Sequence, residues 1–227
     1  MSVSRRNLIV GALAGTLGCQ VDRPRAGLLG AMDGLNQRVQ SALFRGGKRA
    51  PTARPAARTP EGAFPQYHIS IEAPLPPPGW ALAVGGMVTR PLVLGLDDLE
   101  RMPRTDLRVR HHCVEGWTAV ASWHGVALAD LAARAGAHPL AACIEFRSFD
   151  RGYWSSWDRA SALHPQTILA YGMNGEPLAP GHGAPLRLYS AVKLGYKMVK
   201  YLTEVNFLPA PTGGYWEDQG YEWFAGV

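Results

Sequence analysis

From Phe64 onward the apolar residues come in short, strand-length runs, and this restricts the available folds more than any other feature of the chain. Residues 80–86 read as a strand ending in a turn, and residues 92–94 as a second short strand. Residues 107–113 begin with strand alternation, and residues 144–149, 186–190 and 201–207 read as further strands. Between them lie only brief helical signals. Residues 97–101 resemble a capped turn, residues 126–135 a helix that stops at Gly136, and residues 161–163 a turn before Pro165. There is no internal repeat. Strands in mixed order with short helices predict an α+β domain, and argue against a regular βαβ array.

Charge divides the chain near residue 62. Residues 1–61 hold ten Lys/Arg against three Asp/Glu, while residues 62–227 hold thirteen against fifteen. The formal net charge of +5 therefore comes from the N-terminal part. A nucleic-acid partner is not expected, because that function needs a basic face on the folded body. The body, residues 62–227, is long enough for one domain with a substantial core. The cysteines, Cys19, Cys113 and Cys143, are too few and odd in number for a disulfide framework. Cys143 sits in a strand-like run and reads as a buried structural thiol.

The first residues carry their own signals. Ser4-Arg5-Arg6-Asn7-Leu8-Ile9, followed by small and apolar residues to Gly18, resembles a twin-arginine export signal. This predicts a periplasmic or cell-envelope location. Thr16-Leu17-Gly18-Cys19 resembles a degenerate lipobox, which would make Cys19 a lipid anchor; ordinary cleavage nearby, or a retained leader, are the alternatives. Residues 1–19 are read as the signal and residues 20–61 as a helix plus a basic, Pro/Ala-rich linker. Leu28, Met32, Leu35, Val39 and Leu43 share one helical face, with packing on the domain favoured over a partner or a membrane surface. Residues 45–60 read as flexible.

Three segments of the body carry chemistry. His111-His112-Cys113-Val114-Glu115-Gly116-Trp117 leaves the end of a strand, so the thiol either projects into a cleft or is buried and inert. The second segment runs from Ala170 through Asn174-Gly175-Glu176-Pro177 to Gly181-His182-Gly183-Ala184-Pro185-Leu186-Arg187. The third is Lys193-Leu194-Gly195-Tyr196-Lys197-Met198-Val199-Lys200. Glycines that permit close backbone approach, combined with His182, Arg187, Lys197 and Lys200, suit a bound anion bearing phosphate. Taken singly, each segment also reads as a turn or a solvated charge.

Taken in order, Cys-Val-Glu-Gly-Trp, Tyr-x-Met-Asn-Gly-Glu-Pro-Leu, His-Gly-x-Pro-x-Arg and Gly-Tyr-Lys-x-Val-Lys resemble the oxidoreductase molybdopterin-binding domain of the sulfite oxidase family. Within that family they are also similar to the periplasmic methionine-sulfoxide reductase branch. The resemblance runs from about Phe64 to the C-terminus. It implies a single mixed α/β domain and a Mo-molybdopterin cofactor. It assigns Cys113 as the thiolate ligand of molybdenum, a soft donor for a sulfur-rich site. His182 and Arg187 match residues at the pterin phosphate, Lys200 a cofactor-contacting lysine, and Met198 and Val199 a loop lying along the cofactor. Ser148 falls where the reductase branch has a cofactor-contacting threonine, and His68 aligns loosely with a cofactor-binding histidine. Tyr221, five residues after Trp216, matches the active-site tyrosine, a hydrogen-bond and proton donor.

The chain also departs from the family. Sulfite oxidases bind their anion with arginines, one of them five residues after the ligand cysteine; here Thr118 and Gln66 stand at those places, which removes bidentate donors. The reductase branch usually has Asn where this chain has His182. After Val227 no room remains for a C-terminal dimerisation domain, and no haem-attachment Cys-x-x-Cys-His is present. The implied function is a molybdenum-dependent oxidoreductase that transfers an oxygen atom on a small sulfoxide- or N-oxide-like substrate. Electrons would be exchanged with a separate haem partner, either a membrane b-type protein or a soluble c-type cytochrome. The alternatives are a sulfite dehydrogenase-like enzyme, a non-catalytic binding module of the same fold, and a zinc enzyme using His111, His112 and Cys113.

Overall fold

A computed structural model describes residues 28–60 and 62–227. The twin-arginine motif, the lipobox-like Cys19 and the rest of residues 1–27 lie outside the described residues.

Two five-stranded sheets form the domain. The first has the order β2-β1-β10-β5-β6, built from β1 (Leu82–Gly86), β2 (Leu92–Leu94), β5 (Cys143–Ser148), β6 (Trp154–Asp158) and β10 (Leu202–Leu208). β1 pairs in parallel with β10, and the other pairs in this sheet are antiparallel. The second sheet runs β3-β4-β7-β8, with β9 also on β7. Its strands are β3 (Arg104–His112), β4 (Thr118–Ala127), β7 (Thr167–Met173), β8 (Glu176–Pro177) and β9 (Arg187–Ser190), all antiparallel. The mixed order matches the α+β expectation.

Four helices are described: α1 (Leu28–Leu43), α2 (Leu96–Glu100), α3 (Leu128–Ala135) and α4 (Arg159–Ala162). In α2 the Asp98 carboxylate accepts the Gly95 amide at 2.9 Å, which is the expected cap. In α3 the buried residues are Leu128, Leu131, Ala132 and Ala135, a single face at helical spacing, and the helix stops at Gly136. It starts two residues later than its pattern suggests, because Val126 and Ala127 belong to β4. The core includes Leu82, Val84, Ile144, Phe146, Trp157, Val205 and Phe207, all buried. Truncating a side chain such as Phe146 to Ala would cost about 3–5 kcal/mol.

Two expectations for the N-terminal part are overturned. Residues 45–60 are not a loose linker. Ala53 donates its amide to the Arg108 carbonyl at 2.7 Å, and Arg108 Nε returns a bond to the Ala53 carbonyl at 2.8 Å. Thr59 and Val120 exchange bonds at 2.9 Å, and Gln166 clasps the Ala50 backbone at 2.7 and 2.9 Å. Proline and arginine content signalled flexibility, but backbone pairing to the domain overrides composition. Nor does the apolar face of α1 pack on the domain. Asn36, Gln40 and Phe44 face inward instead, and Met32, Leu35, Val39 and Leu43 are exposed.

Candidate active site

The loops at one end of the two sheets enclose a cavity of about 530 Å³. Cys113 reaches it from the tip of the β3–β4 hairpin. Strand pairing ends at His112 and Thr118, and the tip closes through bonds of 3.1 Å from Cys113 N to Trp117 O and from Gly116 N to Cys113 O. The thiol is partly buried on the cavity wall, and burial raises its pKa. Glu115 folds back beside it, accepting from Trp117 Nε1 at 3.0 Å and lying 3.7 Å from the Cys113 sulfur.

Another part of the lining is cationic. Arg187 opens β9 and is almost fully buried. Its guanidinium donates to the carbonyls of His182 (3.0 Å) and Leu188 (3.4 Å), and stacks over the Trp123 ring at 4.8 Å. Burial lowers its pKa to about 10. Lys200 donates to the carbonyls of Tyr67 (2.6 Å) and Gly181 (2.8 Å); burial, then the Arg187 charge, brings it down to about 7. Among the described residues neither cation has a carboxylate within 4.0 Å. Burial and these two charges hold His111 neutral, with a pKa of about 3, and His182 neutral at about 4. The Nδ1 atoms of both rings are buried with no protein partner. Backbone approaches closely here. A Cβ at Gly195 would stand 2.6 Å from the His111 ring, and one at Gly183 would stand 2.9 Å from the Lys200 side chain. Only glycine lets these loops close on the wall.

Buried cations without an acidic partner, next to donors with unused hydrogen-bonding capacity, fit a phosphate-bearing, heteroatom-rich group. A partly exposed thiol on the same cavity fits a soft metal ligand. The residues present are therefore compatible with molybdopterin: Cys113 for the metal, and Arg187, Lys200 and the two imidazoles for the pterin and its phosphate.

Cys113, His68, Arg187, Met198, Lys200 and Tyr221 all line the cavity. Tyr221 is held between the rings of Trp216 and Tyr196, each at 5.2 Å. Three of the sequence-derived residues stand elsewhere. Ser148 is off the wall, its hydroxyl accepting the Asp150 amide at 2.9 Å. Val199 is fully buried in the core, and only its carbonyl is engaged, by Leu188 N at 2.8 Å. His182 lines an adjacent cavity of about 340 Å³, and the Phe64 ring lies against it and lines both spaces. The zinc arrangement fails. His111 is buried against Phe64 and Trp117, while His112 turns to Thr118 at 3.1 Å. No group of three metal-binding side chains occurs among the described residues. Sequence patterns missed Phe64, Tyr67, Trp117, Tyr153 and Tyr196 on the wall, since aromatic residues at these positions read equally as core.

Residues 68–216 match the model of the oxidoreductase molybdopterin binding domain family. The chain is 36% identical over 225 residues to a putative protein-methionine-sulfoxide reductase subunit of Azospira oryzae, covering 98% of this chain and 86% of that protein. It is 33% identical over 154 residues to the catalytic subunit of a protein-methionine-sulfoxide reductase from Xanthomonas axonopodis pv. citri, covering 61% of this chain and 48% of that one. The fold is similar to that of the sulfane dehydrogenase SoxCD from Paracoccus pantotrophus, with a TM-score of 0.61 at 22% identity over 77% of this chain and 53% of that one. The chain belongs to the oxidoreductase molybdopterin-binding domain family and is a molybdopterin-dependent oxidoreductase.

Proposed function

We propose that the enzyme reduces a small, uncharged sulfoxide or N-oxide, taking its electrons from a separate haem protein. The observation that carries this reading is the lining of the Cys113 cavity: its cations, Arg187 and Lys200, are the candidate cofactor residues, and the arginines expected for an anionic substrate are missing. Thr118 is exposed and bonded to His112, and Gln66 lies 3.4 Å from His182. Tyr67, Trp117, Tyr215 and Trp216 line the same cavity, surfaces suited to a methyl or methylene group beside sulfur. The naming of similar proteins as protein-methionine-sulfoxide reductases supports a sulfoxide.

When bound, the molybdenum cofactor supplies the two-electron chemistry of oxygen-atom transfer. Cys113 holds the metal as a thiolate. Arg187 and Lys200 would hold the phosphate end, with His182 set behind Phe64 in the adjacent space. Met198, on the cavity wall, would lie against the cofactor. Tyr221, at the mouth, orients the substrate oxygen by a hydrogen bond and passes it a proton. Each turnover converts the sulfoxide to a thioether and water, consuming two protons and two electrons. A membrane b-type or soluble c-type cytochrome supplies the electrons one at a time. Residues 62–227 form the catalytic domain. The twin-arginine motif supports export to the periplasm or cell envelope, with Cys19 as a lipid anchor.

The test is protein matured in a host that makes the cofactor. About one molybdenum and one pterin per chain are expected, with turnover of sulfoxides by an artificial electron donor. Cys113→Ser should lose at least about a thousandfold in kcat/KM, which is roughly 4 kcal/mol of barrier, with the circular dichroism spectrum unchanged. Faster oxidation of sulfite than reduction of any sulfoxide would overturn the substrate assignment. Well-folded protein that takes up no pterin would favour a non-catalytic module.

A further inference from the structure

We propose that α1 docks the protein onto an anionic lipid surface, with its apolar stripe in the headgroup layer and the basic residues that follow it on the lipid phosphates. The helix is inverted relative to an ordinary surface helix. Its polar residues hold the domain: Asn36 Nδ2 donates to Glu222 at 2.8 Å, and Gln40 Oε1 accepts the Gly226 amide at 3.3 Å. Phe44 completes this face against Phe224 and His164, with ring centroids 5.9 and 6.1 Å away. These contacts fix the rotation of the helix and leave its large apolar residues outside. Met32 is 58% exposed, Leu35 62%, Val39 47% and Leu43 73%. At helical spacing these four form one continuous stripe, with the exposed Ala31 and Ala42 along its flank.

Charge selects the occupant. Between Gly34 and Pro60 there are six cationic residues, Arg38, Arg45, Lys48, Arg49, Arg54 and Arg58, and no acidic one. All six are exposed. Residues 62–227, by contrast, are slightly acidic. An apolar stripe followed by a polybasic run is the pattern of a helix that lies in the interface of an anionic bilayer, where the two attractions add. Sixteen helical residues span roughly 24 Å, short of the bilayer's hydrocarbon thickness. No helix among the described residues is long and apolar enough to cross a membrane. The helix therefore lies along the surface. Glu222, which α1 grips, follows Tyr221 on the cavity wall, so the helix is anchored to the segment that carries Tyr221.

The experiment is co-sedimentation of the full-length, cofactor-loaded protein with protein-free vesicles. One set is phosphatidylcholine alone and the other is phosphatidylcholine mixed with phosphatidylglycerol. Binding to the mixed vesicles should exceed binding to the neutral ones by about tenfold and weaken as salt rises. The variant Leu35→Gln/Val39→Gln/Leu43→Gln should lose about tenfold or more in partition at an unchanged melting temperature, because these side chains make no core contact. Arg45→Gln/Lys48→Gln/Arg49→Gln should remove the preference for the anionic vesicles. Three outcomes overturn the proposal: no binding to either vesicle; equal partition of the wild type and the apolar variant, which would place binding in residues 1–27; or a wild-type dimer that the apolar variant converts to a monomer, which would make the stripe a contact between copies of the chain.

Discussion

The stretch from Arg187 to Lys200 contains two kinds of cation withdrawn from solvent, Lys200 partly and the others almost fully, and the contrast between them separates scaffold from site. Lys193 and Lys197 have carboxylate partners. Lys193 bonds Asp158 at 2.9 Å and sits 3.5 Å from the centre of the Phe224 ring. Lys197 is paired with Glu217 and donates to the Ser156 carbonyl at 3.0 Å. Arg187 and Lys200 bond carbonyl oxygens and no carboxylate; Asp150, on the same cavity, acts on Lys200 only from beyond ion-pair distance. Burying an ion costs several kcal/mol unless a counter-charge offsets it. The paired lysines meet that cost within the protein, and the Lys197–Glu217 pair joins the 195–200 loop to the C-terminal segment that carries Tyr221. Arg187 meets it only when an anion arrives, and Lys200 in part through the more distant Asp150 and otherwise in the same way. Cations within fourteen residues of one another, three of them buried and Lys200 half-buried, thus do opposite work according to whether a carboxylate bonds them.

The largest effect should come from breaking a pair. Lys197→Met leaves Glu217 buried beside the Ser155 hydroxyl without its counter-ion, and should cost about 3–5 kcal/mol. Thermal or urea unfolding of the cofactor-free protein measures it. Adding Glu217→Leu should restore much of the loss, because the stranded charge is then removed. A neutral Lys197→Met would abolish the distinction between the two kinds of cation.

Arg187→Met should behave in the opposite way. Without the cofactor, the substitution removes a buried charge that no acidic group compensates, so stability should stay within about 1 kcal/mol of wild type. Retention of the pterin should fall about 10- to 100-fold, or roughly 1.4–2.7 kcal/mol, since a charge-assisted bond to phosphate is lost. Pterin released per chain after dialysis reads the second effect. If Arg187→Met unfolds the cofactor-free protein as severely as Lys197→Met, Arg187 belongs with the scaffold.

How much of this contrast the sequence discloses depends on what fixes each residue. Cys113, His182, Arg187 and Lys200 stand in ordered motifs, and their types alone suggest metal and phosphate. Nothing local says that Lys197 is paired while Lys200 is not; Glu217 and Asp158 come from distant segments. The same limit applies to the strands. β1, β2, β5, β9 and β10 are visible as short apolar runs. β7 is buried along its whole length, and β4 along most of its length, so neither alternates with period 2. β6 places serines inward, where Ser155 bonds Glu217 and Ser156 bonds the Gly213 carbonyl. Its polar residues then read as turn. In α1 the periodicity is correct, but the face that packs is the polar one. Periodicity identifies a helix and its stripe; only tertiary contacts decide which side meets the domain.

The smallest effect is a pH dependence that tests the anion-binding half of the contrast without the cofactor. Lys200 is lowered from 10.5 to about 7 in the folded protein, chiefly by burial. Between those values the unfolded chain holds a proton that the folded chain lacks, so this group makes the cofactor-free protein less stable as pH falls from about 10 to 7. A bound anion favours the protonated lysine and should reverse part of that loss. Sulfate suits the test, because its own charge is constant over the range. His111 and His182, near 3 and 4, stay neutral, and Arg187, near 10, stays charged. The sulfate-induced rise in melting temperature, measured against chloride at equal ionic strength, should therefore grow as pH drops from 9 to 6. The corresponding gain in sulfate affinity is about three- to tenfold, or roughly 0.6–1.4 kcal/mol. In Lys200→Met the sulfate effect should be flat with pH. In Lys193→Met it should keep the wild-type slope, because Lys193 faces Asp158 and not the cavity. A slope that survives in Lys200→Met would move the responsible charge elsewhere and leave Lys200 as a structural tie between Tyr67 and Gly181.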